Sequence, residues 1–294
     1  MKKKTIILFV LIFLAMNIVA LEFPEGLEFS VPDISTSQRQ TSRYWLHDIA
    51  LKLAFVVAFS LTSVGLVWLK LNKFRKWMNI ASIVVLGFVF GGILCPSNAL
   101  QNAIVKYNTA YLIVFLVPVI LALLIGRVYC GYVCPFGAVQ ELINTKKLRK
   151  KIPDKVDRKL KLIKYGILLF VGGGTLIAGQ TVGSLSLLKP LFTFSGTLVS
   201  IVGTVGILAA AVFYYRPYCR YLCPYGALMA LLSKLSIYRI VTSSSCVKCK
   251  MCERKCSMNA IVDGYVGNEC LLCGNCIQVC PKASLAINRG GKEK

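Results

Sequence analysis

Eight of the chain's 13 cysteines fall into two runs of one spacing. The first is Cys246-x2-Cys249-x2-Cys252-x3-Cys256; after thirteen residues comes Cys270-x2-Cys273-x2-Cys276-x3-Cys280, followed by Pro281. Thiolates at this spacing hold two 4Fe-4S cubanes: three from one tight loop grip one cubane, and the fourth crosses to the other. That rule assigns Cys246, Cys249, Cys252 and Cys280 to one cluster, and Cys270, Cys273, Cys276 and Cys256 to the second. A four-cysteine zinc site or a disulfide framework is the simpler alternative. Zinc ribbons, however, use two C-x2-C pairs, and this doubled run exceeds what they need. Ser257 stands where the first run would carry its proline, which bears on loop shape and not on ligation.

A second constellation lies upstream. Arg127-Val128-Tyr129-Cys130-Gly131-Tyr132-Val133-Cys134-Pro135-Phe136-Gly137-Ala138 matches Arg216-Pro217-Tyr218-Cys219-Arg220-Tyr221-Leu222-Cys223-Pro224-Tyr225-Gly226-Ala227 at eight of twelve positions. Such an internal repeat points to two copies of a helical unit paired about a pseudo-two-fold axis. The i, i+4 spacing of each cysteine pair predicts two thiols on one helix face, and each proline predicts a redirected chain or a new helix. Four sulfurs brought together would suffice for a further iron-sulfur cluster. A dithiol that cycles to a disulfide, or a Cu(I) or zinc site, fits the same residues. Cys95-Pro96 echoes the tail of these motifs. His47, beside Asp48 and Lys52, is a candidate for a quinone headgroup, against the plainer reading of an interfacial pair with a snorkelling lysine.

The elements that must position these groups follow from composition. Of 294 residues, 56% are hydrophobic and only 16% charged, with a mean hydropathy of +0.67; soluble domains carry roughly 25% charged residues. Apolar stretches near 48–69, 78–96, 109–128, 162–180 and 197–215 each approach the roughly 20 residues that cross a bilayer core. Lys2, Lys3 and Lys4 before the apolar run Thr5–Leu21 read as a signal anchor or a signal peptide. Residues 22–46 read as an exposed extracytoplasmic loop. The fold class expected is therefore an α-helical integral membrane bundle of five or six transmembrane helices (47–239) with a C-terminal α+β domain (240–294).

The net charge of +23 does not call for nucleic acid, because Lys and Arg gather between apolar stretches. Lys70, Lys73, Arg75, Lys76 and the block Lys146–Lys151 fall on one side. Only Arg39, Arg43, Lys52, Lys106 and Lys189 fall on the other, which predicts the N-terminus and the C-terminal domain on the cytoplasmic face of a prokaryotic inner membrane. A single histidine excludes bis-histidine haem. The stretches from 109 onward carry no ionisable group at mid-span, which argues against a pump.

With these motifs in view, the chain resembles the NapH/NosR-type membrane polyferredoxins, which pair two CxxxCP motifs with a bacterial-type 2[4Fe-4S] ferredoxin domain, over roughly residues 75–290. The resemblance implies an electron-transfer subunit rather than a stand-alone enzyme, relaying electrons between a membrane donor or acceptor, with quinol one candidate, and a redox protein partner. It implies the eight C-terminal cysteines as ligands and leaves Cys130, Cys134, Cys219 and Cys223 as a redox motif without a settled ligand. Residues 22–46 are too short for the outer flavin domain of the larger members, so flavin is not expected. A redox maturation or metal-handling factor, or a redox sensor, would use the same clusters.

Overall fold

The computed structural model describes residues 38–69, 74–90, 109–145, 148–178, 189–192 and 198–289. The N-terminal run 1–21 and Cys95 lie outside them, and the side chain of His47 does too. Helix α1 (Gln38–Trp68) is followed by α2 (Arg75–Ser82), which passes without a break into a π-helical segment, Ile83–Val89. Helix α3 (Thr109–Ile125) leads into the first cysteine motif, where α4 (Val128–Tyr132) and α5 (Pro135–Ile143) are short. Helix α6 (Asp154–Ala178) opens with Asp154 and Asp157 in its first turn, where carboxylates suit the helix dipole. The one-turn α7 (Lys189–Phe192) precedes α8 (Leu198–Phe213), which leads into the second motif: a π-turn (Tyr218–Leu222), then α9 (Pro224–Leu232).

The two motif units interlock. Helix α5 of the first packs against α8 of the second, and α9 of the second packs against α3 of the first and against α6. This exchange is the geometry that the internal repeat implies.

Five or six transmembrane helices were expected; among the described residues no helix is long and apolar enough to cross a membrane. The reasons are local. Helix α3 has 17 residues with Pro118 inside it, and α8 has 16, so α8 spans only about 24 Å at 1.5 Å per residue. Of the apolar stretch expected at 78–96, residues 78–82 end the α-helix that begins at Arg75, and 83–89 form a seven-residue π segment. Helix α6 is longer, but its first turns carry Asp154, Lys155, Asp157, Arg158, Lys159, Lys161 and Lys164. The bundle assignment is corrected accordingly. The loop expected over 22–46 is also revised, because α1 is helical from Gln38.

The C-terminal part is built as two similar halves. Strand β1 (Tyr238–Thr242), rich in β-branched residues, straddles the boundary expected at 240 and pairs antiparallel with β4 (Leu285–Arg289), Ile240 facing Ile287. Between them lie α10 (Met251–Lys255), the hairpin β2–β3 (Ile261–Val262, Tyr265–Val266) and α11 (Asn275–Val279). Asp263 and Gly264 both take positive φ, 49° and 85°, as a two-residue hairpin turn of the I′ kind requires. Ile240, Ile261, Leu272 and Leu285 join α3 and α4 residues such as Ile125 and Val128 in one apolar core, so the C-terminal part is packed onto the helices and not tethered beside them.

Candidate metal centres

Each cysteine run is a turn that rarely suits L-residues. Lys248 and Leu272, just before the middle cysteine of each run, have φ of 50° and 49°; Lys250 and Gly274, just after it, have 58° and 73°; and Asn259 and Ala283, three residues past the last cysteine, have 46° and 48°. Left-handed residues beside right-handed ones turn successive N–H groups toward a common concavity, the nest found at many iron-sulfur sites. The same backbone plan therefore occurs twice, with glycine at only one of the six left-handed positions. We expect Gly274→Ala to lower stability by about 1 kcal/mol, since a Cβ there meets the left-handed penalty. Lys250→Gly should act in the opposite direction and more weakly, because glycine costs folding entropy. Thermal unfolding of the anaerobic holo-protein reads both.

The folded chain gathers the cysteines of the two runs into two cavities. A cavity of about 330 Å³ is lined by Cys246, Cys249, Cys252 and Cys280, with Thr242 and Pro281 at its edge. A much tighter one, about 20 Å³, is lined by Cys256, Cys270, Cys273 and Cys276 together with Tyr215, Ile240 and Leu271. Each cavity thus combines three cysteines of one run with the last of the other. The crossing sulfurs are themselves oriented by backbone donors: Ala260 N–H donates to Cys256 Sγ and Ser284 N–H to Cys280 Sγ, both at 3.3 Å. Among the described residues no group of three or more His, Cys, Asp or Glu side chains sits at single-ion spacing.

The CxxxCP cysteines do not share a helix face as their spacing suggested. Cys130 lies within α4, but Cys134 is the extended N-cap of α5 (ψ 112°). Cys219 lies in the π-turn, and Cys223 is the extended N-cap of α9 (ψ 112°). The cause is the following proline, which disfavours the helical region for its predecessor and occupies the first position of the next helix. The interlock of the units still brings the pairs near one another: Cys134 and Cys223 pack on the cluster that holds Cys219, and Cys223 also packs on the cluster that holds Cys130. Gly226 N–H donates to Cys223 Sγ at 3.2 Å, and Gln140 Nε2 to Cys219 Sγ at 3.6 Å.

Around this quartet lies a charge framework that the sequence reading missed. The repeat arginines cross over. Arg216 of the second unit donates to the Cys130 and Gly131 carbonyls of the first and pairs with Glu141 at 2.5 Å. Arg127 of the first unit lies along Gly226 of the second and pairs with Glu269 at 2.5 Å. Arg75 reaches Glu141 at 2.6 Å, and Lys164 also pairs with Glu269. Burial alone would push the Glu141 carboxyl up, but Arg216 and Arg75 outweigh it and hold the group below the usual carboxylate value. The same balance, with Arg127 and Lys164 as partners, depresses Glu269. The only available signal was that Arg127 and Arg216 occupy the first position of the repeat.

The motifs also touch the tighter cavity directly. A Cβ on Gly131 would stand 2.6 Å from the Leu271 carbonyl oxygen, so the loop between Cys130 and Cys134 lies against the loop between Cys270 and Cys273. Tyr132 OH donates to the Leu272 carbonyl at 3.3 Å. In the second unit Arg220 replaces that glycine; it pairs with Asp157 at 2.6 Å and reaches the Ser257 carbonyl, next to Cys256, at 3.5 Å.

Paired cysteine cavities in a twofold C-terminal unit, seated on a repeated cysteine motif, define an iron-sulfur protein of the ferredoxin type. A family model described as a 4Fe-4S binding domain matches residues 107–153 and 197–239; these segments bracket the two CxxxCP motifs and end before Cys246. An uncharacterised protein of Methanocaldococcus jannaschii is 30% identical over 76% of this chain and 99% of its own length. A putative electron transport protein of Escherichia coli, YccM, is 28% identical over 71% and 61% of the respective chains. The ferredoxin-type protein NapH of Haemophilus influenzae is 24% identical over 62% and 67%. No solved structure matches the chain. The chain belongs to the NapH/NosR-type polyferredoxins, and it is an iron-sulfur electron-transfer protein.

Proposed function

We propose that the chain orders three sets of thiolates into a relay, each set holding one 4Fe-4S cluster. When bound, these groups supply one-electron storage at potentials set by burial and by hydrogen bonds to sulfur. The carrying observation is that each cavity gathers three cysteines of one run and the last of the other. On this reading Cys246, Cys249, Cys252 and Cys280 hold the outer cluster, and Cys256, Cys270, Cys273 and Cys276 the inner one, within a C-terminal ferredoxin domain. Cys130, Cys134, Cys219 and Cys223 hold the third. Support for the third comes from the position of the family match on the CxxxCP segments and from orphaned cationic donors. The Nε and Nη2 groups of Arg127 and the Nε of Arg216, both arginines fully buried, have no partner among the described residues. A buried guanidinium left short of acceptors is costly, and an anionic thiolate-ligated centre between the two arginines would relieve it.

The chain's own residues set the order. Gly131 against Leu271 joins the CxxxCP site to the inner set. The inner set is walled by Tyr215 and Ile240, whereas the outer set includes the exposed Cys249. The far side meets lipid on this reading, supported by exposed apolar side chains such as Leu61, Leu169, Phe170 and Ile177, since patches of this kind mark interaction surfaces. The candidate for a quinone headgroup, His47, has its side chain outside the described residues, and Cys95 lies outside them altogether.

The test is anaerobic purification with iron and sulfide counting and EPR, comparing the unaltered chain with Cys130→Ser/Cys219→Ser. A fall from about twelve irons to about eight is the expected result. About eight in both would remove the third cluster, and zinc in place of iron would remove the relay altogether.

A further inference from the structure

The outer cavity opens on a surface whose chemistry is unlike that of the inner one. Cys249 is exposed there, and beside it Val247 and Met251 are apolar and 60% and 41% exposed. Pro281 adds to this apolar centre. At its rim stand Lys248, Lys250 and Lys282, all exposed; Arg254 and Lys255 are exposed on the adjoining α10. The acidic side chains at the same cavity are Glu253 and Asp263. The half-buried Glu253 accepts from the Gly264 N–H at 3.1 Å, and Asp263 lies 3.7 Å from Lys250, that pair largely in solvent. Three cations and two acids line the cavity, and the two further cations of the adjoining α10 leave this face positive, on a chain of net charge +23.

We propose that this face is the docking site for a small acidic one-electron carrier protein, and that it is the exit of the relay. The inference rests on the assignment of the outer cluster given above. An apolar centre inside a charged rim is the anatomy of a protein-protein contact, and a small interface of this sort suits a transient redox encounter. The lysine rim speeds encounter with an acidic face and excludes basic partners. Val247 and Met251 supply a dry contact beside Cys249, so that the carrier's redox group approaches the most exposed thiolate of the chain's outer set.

The experiment uses the full-length holo-protein, reduced with dithionite and freed of excess reductant, and an oxidised acidic flavodoxin as probe. One electron leaves the reduced iron-sulfur protein, and the flavin takes it up with one proton to give the neutral semiquinone, whose absorbance reports the rate. Iron is counted on every variant first. Lys248→Glu/Lys282→Glu should slow the bimolecular rate about tenfold at low ionic strength and flatten its salt dependence. Lys76→Glu/Lys234→Glu, which alters exposed lysines lining neither cavity, should change it less than about twofold on the same grounds. If both double variants slow the reaction equally, or neither does, the docking site is wrong. If the first variant instead loses binding to phosphatidylglycerol vesicles while its flavodoxin rate stands, the rim serves lipid and the proposal is again overturned. A preparation without iron would sink the relay and the docking site together.

Discussion

Glu141→Leu destabilises the protein by about 3 to 5 kcal/mol, the range found when one member of a buried ionic group is removed. The carboxylate is the shared counter-charge of Arg75 and Arg216, 2.6 Å and 2.5 Å away, and both guanidiniums are buried. Without it, among the described residues Arg75 keeps the Tyr215 hydroxyl at 3.3 Å and the Gly131 carbonyl at 3.4 Å, while Arg216 keeps the Cys130 and Gly131 carbonyls. Two positive charges then lie in a low-dielectric interior with neutral partners, and repel each other. Denaturant unfolding of the purified protein reads the loss. A second measurement separates charge from packing: adding Arg75→Met to Glu141→Leu should recover part of the stability, because removing whole ionic groups costs far less than orphaning one member. If the double variant is less stable than the single one by the sum of two independent losses, the electrostatic account is wrong.

Gly131→Val separates the two halves of the molecule. Even a bare Cβ would stand 2.6 Å from the Leu271 carbonyl oxygen, a backbone atom fixed between Cys270 and Cys273. The neighbour cannot swing away as a side-chain tip could, so the C-terminal part must shift as a body. Overpacking of this kind costs about 1 to 3 kcal/mol. It acts on function as well as on stability, since the contact joins the CxxxCP quartet to the inner cysteine set. Iron content should stay near that of the unaltered chain, while electron passage between the two sites, followed by freeze-quench EPR after a reductant pulse, slows, because tunnelling falls off with the separation of the centres. Full-rate transfer in Gly131→Val with intact clusters would show that electrons do not take this route. Arg220, at the matching place in the second unit, pairs with Asp157 and reaches the Ser257 carbonyl beside Cys256.

How much of this was legible in the residues varies with range along the chain. The cysteine spacing indicated which cysteines line each cavity, because a run of seven residues closes its own loop and a short α+β frame returns the fourth cysteine. The Asp263-Gly264 turn and the helix starts at Pro135 and Pro224 are equally local. Each follows from one residue's backbone freedom or from its missing N–H. The interlock of two units followed from the repeat.

Hydropathy, by contrast, misled. An apolar stretch reports that side chains avoid water, but not where the backbone stops being helical. The π segment after Ser82 and the shortness of α3 and α8 are therefore invisible to it. The α-helical spacing of Cys130 and Cys134 failed for a related reason, since Pro135 overrides the period that the spacing assumes. Only the tertiary structure decided how the charges pair. Arg216 meets Glu141, and Arg127 meets Glu269, across long stretches of chain, and a lone buried glutamate in a basic sequence carries no mark of its partner. The residue types determined which chemistry the chain can hold; packing determined which buried charges face it and through which backbone contact the two cysteine systems touch.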